Sequence, residues 1–121
     1  MINEKLLPEK YQKLIPIILY ENSSGSKNTI TLNETVANYS YIEIYYKNHN
    51  NFYDSVKIDN PNGKRISLYL IEPQTDSTWY IATNLIFVNA NSISVERSSE
   101  FGEGYHANTN HIYITKVIGY K

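Results

Sequence analysis

The sequence predicts an all-β fold, an antiparallel β-sandwich of jelly-roll-like type with a short N-terminal helix. Three observations predict it. Apolar and polar residues alternate with period two from Ile17 onward, and Asn, Gly and Ser punctuate the alternation at short intervals. The stretches between the alternating runs are too short to hold crossover helices, which excludes a parallel α/β sheet. Twelve tyrosines and fifteen asparagines fit the same picture. Tyr is a strand former with a polar tip, and Asn fills turns and tolerates positive φ.

The first eighteen residues read as an N-terminal segment with a short helix or linker, and residues 19–121 as the sandwich domain. Pro8 suits the first helical position, Glu9 the first turn and Lys13 the last turn, and Pro16 stops the helix. Tyr11, Leu14 and Ile15 share one face of it. A helix this short is marginal alone and has to dock on the domain or on a neighbouring chain.

Ile17-Ile18-Leu19-Tyr20 is a short apolar strand, ended by the turn-rich Asn22-Ser23-Ser24-Gly25-Ser26. Thr29-Ile30-Thr31-Leu32 alternates cleanly. In Tyr41-Ile42-Glu43-Ile44-Tyr45-Tyr46 the residues Ile42, Ile44 and Tyr46 share one face, and Tyr41, Glu43 and Tyr45 the other. Phe52 to Ile58 and Lys64 to Ile71 flank Asn60-Pro61-Asn62-Gly63 and read as a hairpin, with Pro61 and Gly63 at the turn positions that favour them. Thr78 to Val88 predicts one long strand or two strands broken near Asn84. Ser92 to Glu96 alternates again, Arg97 to Asn110 reads as a polar loop, and the β-branched His111 to Ile118 closes the domain.

Composition excludes several function classes. With 121 residues the chain is of single-domain size, and its scaling predicts burial of about two-thirds of the unfolded surface. The absence of Cys removes disulfides, thiolate metal sites and a thiol nucleophile. Eleven basic and twelve acidic residues give a net charge of −1 without a basic stripe, so no nucleic-acid partner is expected. No apolar run is long enough for a signal peptide or a membrane anchor, and no membrane insertion is expected.

No catalytic motif emerges, and the chain is not expected to be an enzyme. His106 and His111, with Glu100 and Glu103 nearby, are the residues from which a metal or acid–base site would be assembled, but their spacing matches no known ligand pattern. The expectation is solvated loop histidines, no metal and no cofactor. Phe101-Gly102-Glu103-Gly104-Tyr105 lacks the remaining elements of a phosphate cradle. No serine sits in a nucleophile elbow, and the acids are scattered singly, with only Glu43 clearly inside a strand next to aromatics. Three Asn-x-Ser/Thr matches, at Asn22, Asn33 and Asn38, are of the number expected by chance in so Asn-rich a chain.

Aromatic placement is the informative feature. The alternation points Tyr41, Tyr45, Tyr69 and Tyr113 away from the core, and Trp79 or Tyr80 with them. An exposed aromatic set is a covered surface, either an oligomer interface or a platform for sugar rings; the competing assignment is a two-sided sandwich with a second buried face. The expected ligand-binding residues are Tyr45, Tyr69 and Trp79, with Tyr105 and His106 from the long loop.

Several segments resemble a domain found at the C-terminal end of tail and minor structural proteins of phages and prophages of Gram-positive bacteria. They are Leu19 to Ser26 with Thr29 to Leu32, Tyr41 to Tyr46, Ser55 to Ile58 with Pro61 to Lys64, and the closing Ile112-Tyr113-Ile114-Thr115-Lys116-Val117-Ile118-Gly119-Tyr120-Lys121. The closing segment is the most specific. The resemblance implies a virion component at the tail tip, fibre or baseplate, made in the bacterial cytoplasm. It would contact the host surface and other tail proteins, often as a trimer, and the resemblance carries no catalytic residues. Members of this family usually follow a long upstream tail protein, whereas this chain has only eighteen residues before Leu19, so a separate small gene product or an excised piece is expected. The expected function is host-surface saccharide recognition by a self-associating tail module. The alternatives are a purely structural capping or assembly domain and a carbohydrate-binding adhesin module.

Overall fold

The computed structural model describes Pro8, Tyr11 and residues 15–73 and 79–121. Nine strands are assigned among them: β1 (Ile17–Ser26), β2 (Ile30–Thr31), β3 (Tyr41–Asn48), β4 (Tyr53–Asp59), β5 (Lys64–Pro73), β6 (Trp79–Asn89), β7 (Ser92–Gly102), β8 (Tyr105–Ala107) and β9 (Ile112–Tyr120). One sheet has the order β1-β9-β3-β4 and the other β2-β7-β6-β5, with β8 also on β7. Every pairing is antiparallel. The all-β, sandwich-like architecture therefore stands. The helix expected before Pro16 lies outside the described residues except for Pro8 and Tyr11, where the Tyr11 N–H donates to the Pro8 carbonyl at 2.9 Å. A 3-10 turn at Val36–Asn38, capped by the Thr35 hydroxyl accepting from the Ala37 N–H, is the one helical element between strands among the described residues.

The core follows from the alternation. Ile42, Ile44 and Tyr46 of β3 and Ile112, Ile114 and Val117 of β9 face Leu68 and Leu70 of β5, Ala82, Ile86 and Val88 of β6, and Ile93 of β7. All are buried, and together they form one cluster between the sheets. Removing this much aliphatic surface from water is the dominant stabilising term, at about 1.5–3 kcal/mol per large side chain.

Three predicted elements take a different form. Phe52 to Ile58 and Lys64 to Ile71 do not pair as a hairpin: β4 pairs with β3, and β5 with β6. Asn60-Pro61-Asn62-Gly63 is an arch between the sheets, with φ of 47° at Asn60 and 80° at Gly63. Its entry donates from the Asn60 N–H to the Ser40 carbonyl, and its exit from the Gly63 N–H to the Val88 carbonyl, each at 2.8 Å. The turn chemistry specifies a reversal of direction, and the partner of each strand is set by which apolar face it must bury.

The run Asn22 to Ser26 does not end the first strand but belongs to it as a wide bulge. Glu21 pairs with Lys116, and the next pair is Ser26 with Ile114. Arg97 to Asn110 is mostly strand, not loop: β7 continues to Gly102 and returns as β8, with Gly104 at φ 69° in the turn. Thr78 to Val88 resolves as the single strand β6 from Trp79, with buried Asn84 in its middle.

Candidate functional site

Two features of the second sheet concentrate chemistry. The first is its outer face. Antiparallel register aligns Ile71 of β5, Ile81 of β6, Phe101 of β7 and His106 of β8 in one row across four strands. Tyr69 and Trp79 lie on the same face, to either side of the row, because each is two residues along its own strand from Ile71 or Ile81. Ile71 is 65 % exposed, Tyr69 56 % and Trp79 45 %. The His106 ring stacks on Phe101 with centroids 4.8 Å apart and planes at 11°. This is an apolar and aromatic surface that no part of the described chain covers.

The predicted binding residues therefore separate. Tyr69, Trp79 and His106 share this face. Tyr45 lies on the outer face of the other sheet, where its hydroxyl donates to Glu43 Oε2 at 2.8 Å and its ionisation is pushed up, chiefly by that bond. Tyr105 projects to the opposite side of β8 from His106, and its hydroxyl donates to Glu100 Oε2 at 3.3 Å. The alternation assigned Tyr45 correctly to an outward position, but two sheets have two outer faces.

The second feature is a polar cluster at one end of the sandwich. Asn48, the last residue of β3, is fully buried, and its Oδ1 accepts the N–H groups of Asn50 at 2.9 Å and Phe52 at 3.0 Å. These bonds shape the loop that carries His49. The Asn48 Nδ2 donates to Glu72 Oε1 at 2.6 Å, and Asn50 Nδ2 reaches both Glu72 oxygens at 3.1 Å. Beside this group the His49 ring lies 4.1 Å from the His111 ring, centroid to centroid, and edge-on to Tyr80 at 5.7 Å.

Glu100, on the inward face of β7, is 2 % exposed. Burial pushes its carboxyl up, but hydrogen bonds from Thr109 and Tyr80 and the neighbouring His111 outweigh this and hold it below the ordinary range. Tyr80 is pushed well above the usual phenol range, first by burial and then by its bond to Glu100. Glu100 Oε1 lies against His111 Nδ1 yet accepts no hydrogen bond of normal geometry. One ligand-type atom each from His49, Glu100 and His111 lie within 4.8 Å of one another.

Of the four residues named in sequence as raw material for a metal or acid–base site, His111 and Glu100 meet, while His106 stacks on the outer face and Glu103 is an exposed turn residue. His49 joins them from the β3–β4 loop. Sequence spacing offered no signal for it; the signal that existed was the inward phase of Glu72, Asn84 and Glu100 in otherwise apolar strand faces.

An open cleft of about 730 Å³ lies along the edge of β7 between β2 and β8. Lys27, Asn28, Thr29, Glu96, Arg97 and Asn110 line it, so its walls are rich in hydrogen-bonding groups. No protein-family model matches this chain, and no curated protein matches it significantly.

Proposed function

We propose that the chain is a non-enzymatic virion module of a phage or prophage tail, at the tip, fibre or baseplate, that recognises a host-surface saccharide through the outer face of its second sheet. The observation that carries this is the exposed aromatic set Tyr69, Trp79 and Phe101, with His106, on one face. Flat aromatic rings suit the C–H faces of sugars, and the amide-rich cleft beside β7 suits their hydroxyls. A shallow site of this kind binds at about the millimolar level, and several copies on one particle raise the effective affinity by avidity.

Support for the tail assignment comes from where the resemblance falls. Leu19 to Ser26, Tyr41 to Tyr46, Ser55 to Ile58 and Ile112 to Lys121 fall on the four strands of the first sheet, β1, β3, β4 and β9, while Thr29 to Leu32 and Pro61 to Lys64 reach β2 and the arch into β5 of the second. The exposed aromatic face belongs to the other sheet. Tyr69, Ile71, Trp79, Phe101 and His106 lie outside all of these segments, and a shared framework carrying a chain-specific face is the arrangement a receptor-binding module needs.

The second reading is that the same face is glue between protomers or tail subunits, which the aliphatic half of the row, Ile71 and Ile81, favours. Sedimentation of the chain with purified Gram-positive cell-wall polysaccharide, combined with light scattering, separates the two. Loss of binding in Trp79→Ala with an unchanged oligomer supports recognition. Dissociation of the oligomer in the same variant assigns the face to assembly.

A further inference from the structure

We propose that His49, Glu100 and His111 form a binding site for a divalent transition-metal ion of the zinc class. The donor set is two imidazole nitrogens and one carboxylate oxygen, each already within 4.8 Å of the others. Three protein ligands of this kind around one ion, with a fourth position left for water, are a recurrent zinc arrangement, with ligand bonds of about 2.0–2.2 Å. Small side-chain rotations of His49, which sits exposed on a loop, close the remaining distance.

The carboxylate supplies the independent observation. Glu100 is buried, and its Oε1 lies directly against His111 Nδ1. A buried carboxylate held against an imidazole nitrogen needs a cation between them, and a metal ion can take the place of the imidazole proton. Its other contacts are those that orient a metal-bound carboxylate: the hydroxyls of Tyr80 and Thr109 bond to it, and that of Tyr105 reaches Oε2. The Asn48 side chain fixes the backbone of the His49 loop through the N–H groups of Asn50 and Phe52.

The location assigns the ion a structural task. His49 follows β3 and His111 immediately precedes β9, both strands of the first sheet, and Glu100 belongs to β7 of the second. An ion here ties the two sheets at one end of the sandwich and stabilises the folded state by mass action. The site is separate from the outer aromatic face, so it stands or falls independently of saccharide recognition.

The test is calorimetric titration of Zn²⁺ into the full chain after treatment with a chelator, with thermal unfolding followed in parallel. The expected result is one equivalent bound at micromolar or tighter dissociation constant, and a rise of several degrees in Tm. His49→Ala, in an exposed loop, is expected to fold normally and to lose affinity at least tenfold, whereas His106→Ala leaves binding unchanged. Visible absorption of tetrahedral type on adding Co²⁺ to the wild type, absent in His49→Ala, would place the ion at the cluster. The proposal is overturned by absence of saturable binding, by equal affinity in His49→Ala, or by loss of binding in His106→Ala.

Discussion

Gly119 lies directly beneath the ring of Tyr39, so that a Cβ added to Gly119 would stand 2.6 Å from Tyr39 Cδ1 and 2.9 Å from Cγ. Tyr39 cannot yield easily. Its ring is buried in the core, and its hydroxyl donates to Glu34 Oε2 at 2.5 Å. The glycine before the final tyrosine in the closing segment is therefore a packing requirement of β9, the strand that joins β1 to β3. Gly119→Ala is expected to cost about 1–3 kcal/mol through overpacking. Urea unfolding checks this, and Tyr39→Leu in the same background should recover part of the loss by removing the clash.

The bond from Asn48 to Glu72 holds another end of the structure. Replacing the amide donor by a carboxylate in Asn48→Asp puts two acidic oxygens where a 2.6 Å hydrogen bond now lies. Both residues are buried, so the repulsion is poorly screened. The variant is expected to lose about 3–5 kcal/mol at neutral pH, in the range for breaking a buried polar pair. Asn48→Ala should lose less, since it removes the bonds without adding a charge; chemical denaturation of the two variants side by side tests the order.

These two relationships show how unevenly the fold could be read from the residues. Alternation in Tyr41 to Tyr46 and Lys64 to Ile71 identified the buried faces, because period two is a local property of one strand. Sheet membership is not local. Asn60 to Gly63 carries the same turn residues whether it closes a hairpin or arches between sheets, and only the competition of β3 for β4 and of β6 for β5 decides. The Arg97 to Asn110 stretch looked like a loop because Ser98 and Glu100 occupy inward positions where apolar residues were expected. Glu100 builds the candidate site, and it finds its partners in the segments that the sandwich brings together after β3 and before β9.

Tyr46 makes alkaline stability a readable quantity. Burial, the largest influence, and the nearby Asp54 raise its ionisation to about 12 against a smaller lowering from the Tyr69 backbone, and its hydroxyl donates to the Tyr69 carbonyl at 2.8 Å. A group whose folded value is raised keeps its full contribution below the unfolded value, near 10 for Tyr, and loses it as pH climbs through the folded one. Stability is therefore expected to fall between about pH 10 and pH 12, with Tyr46 accounting for about 2–3 kcal/mol of the change. Tyr46→Phe should flatten that part of the profile while lowering stability at neutral pH by about 1 kcal/mol through the lost hydrogen bond. Urea midpoints measured across this range provide the check; an unchanged slope in the variant would mean that the other raised tyrosines carry the effect.

The last prediction sets the two uses of the outer face against each other at Ile71. This side chain is mostly exposed at the β5 end of the row, between Tyr69 and Pro73 along its strand and paired across to Ile81. A lysine there replaces little buried surface, so Ile71→Lys is expected to change stability by no more than about 0.5 kcal/mol. If the face receives sugar rings, the lysine shortens the flat surface between Tyr69 and Trp79 and weakens wall binding several-fold, and the oligomer seen by light scattering is unchanged. Tyr45→Ala is the matching control, because Tyr45 lies on the opposite sheet, and it is expected to retain full binding. If the face is instead buried between protomers, a charge within it is desolvated without a partner, and Ile71→Lys dissociates the assembly. Dissociation by Ile71→Lys together with undiminished wall binding by the monomer would move recognition away from this face, leaving the amide-lined cleft along β7 as the place to look.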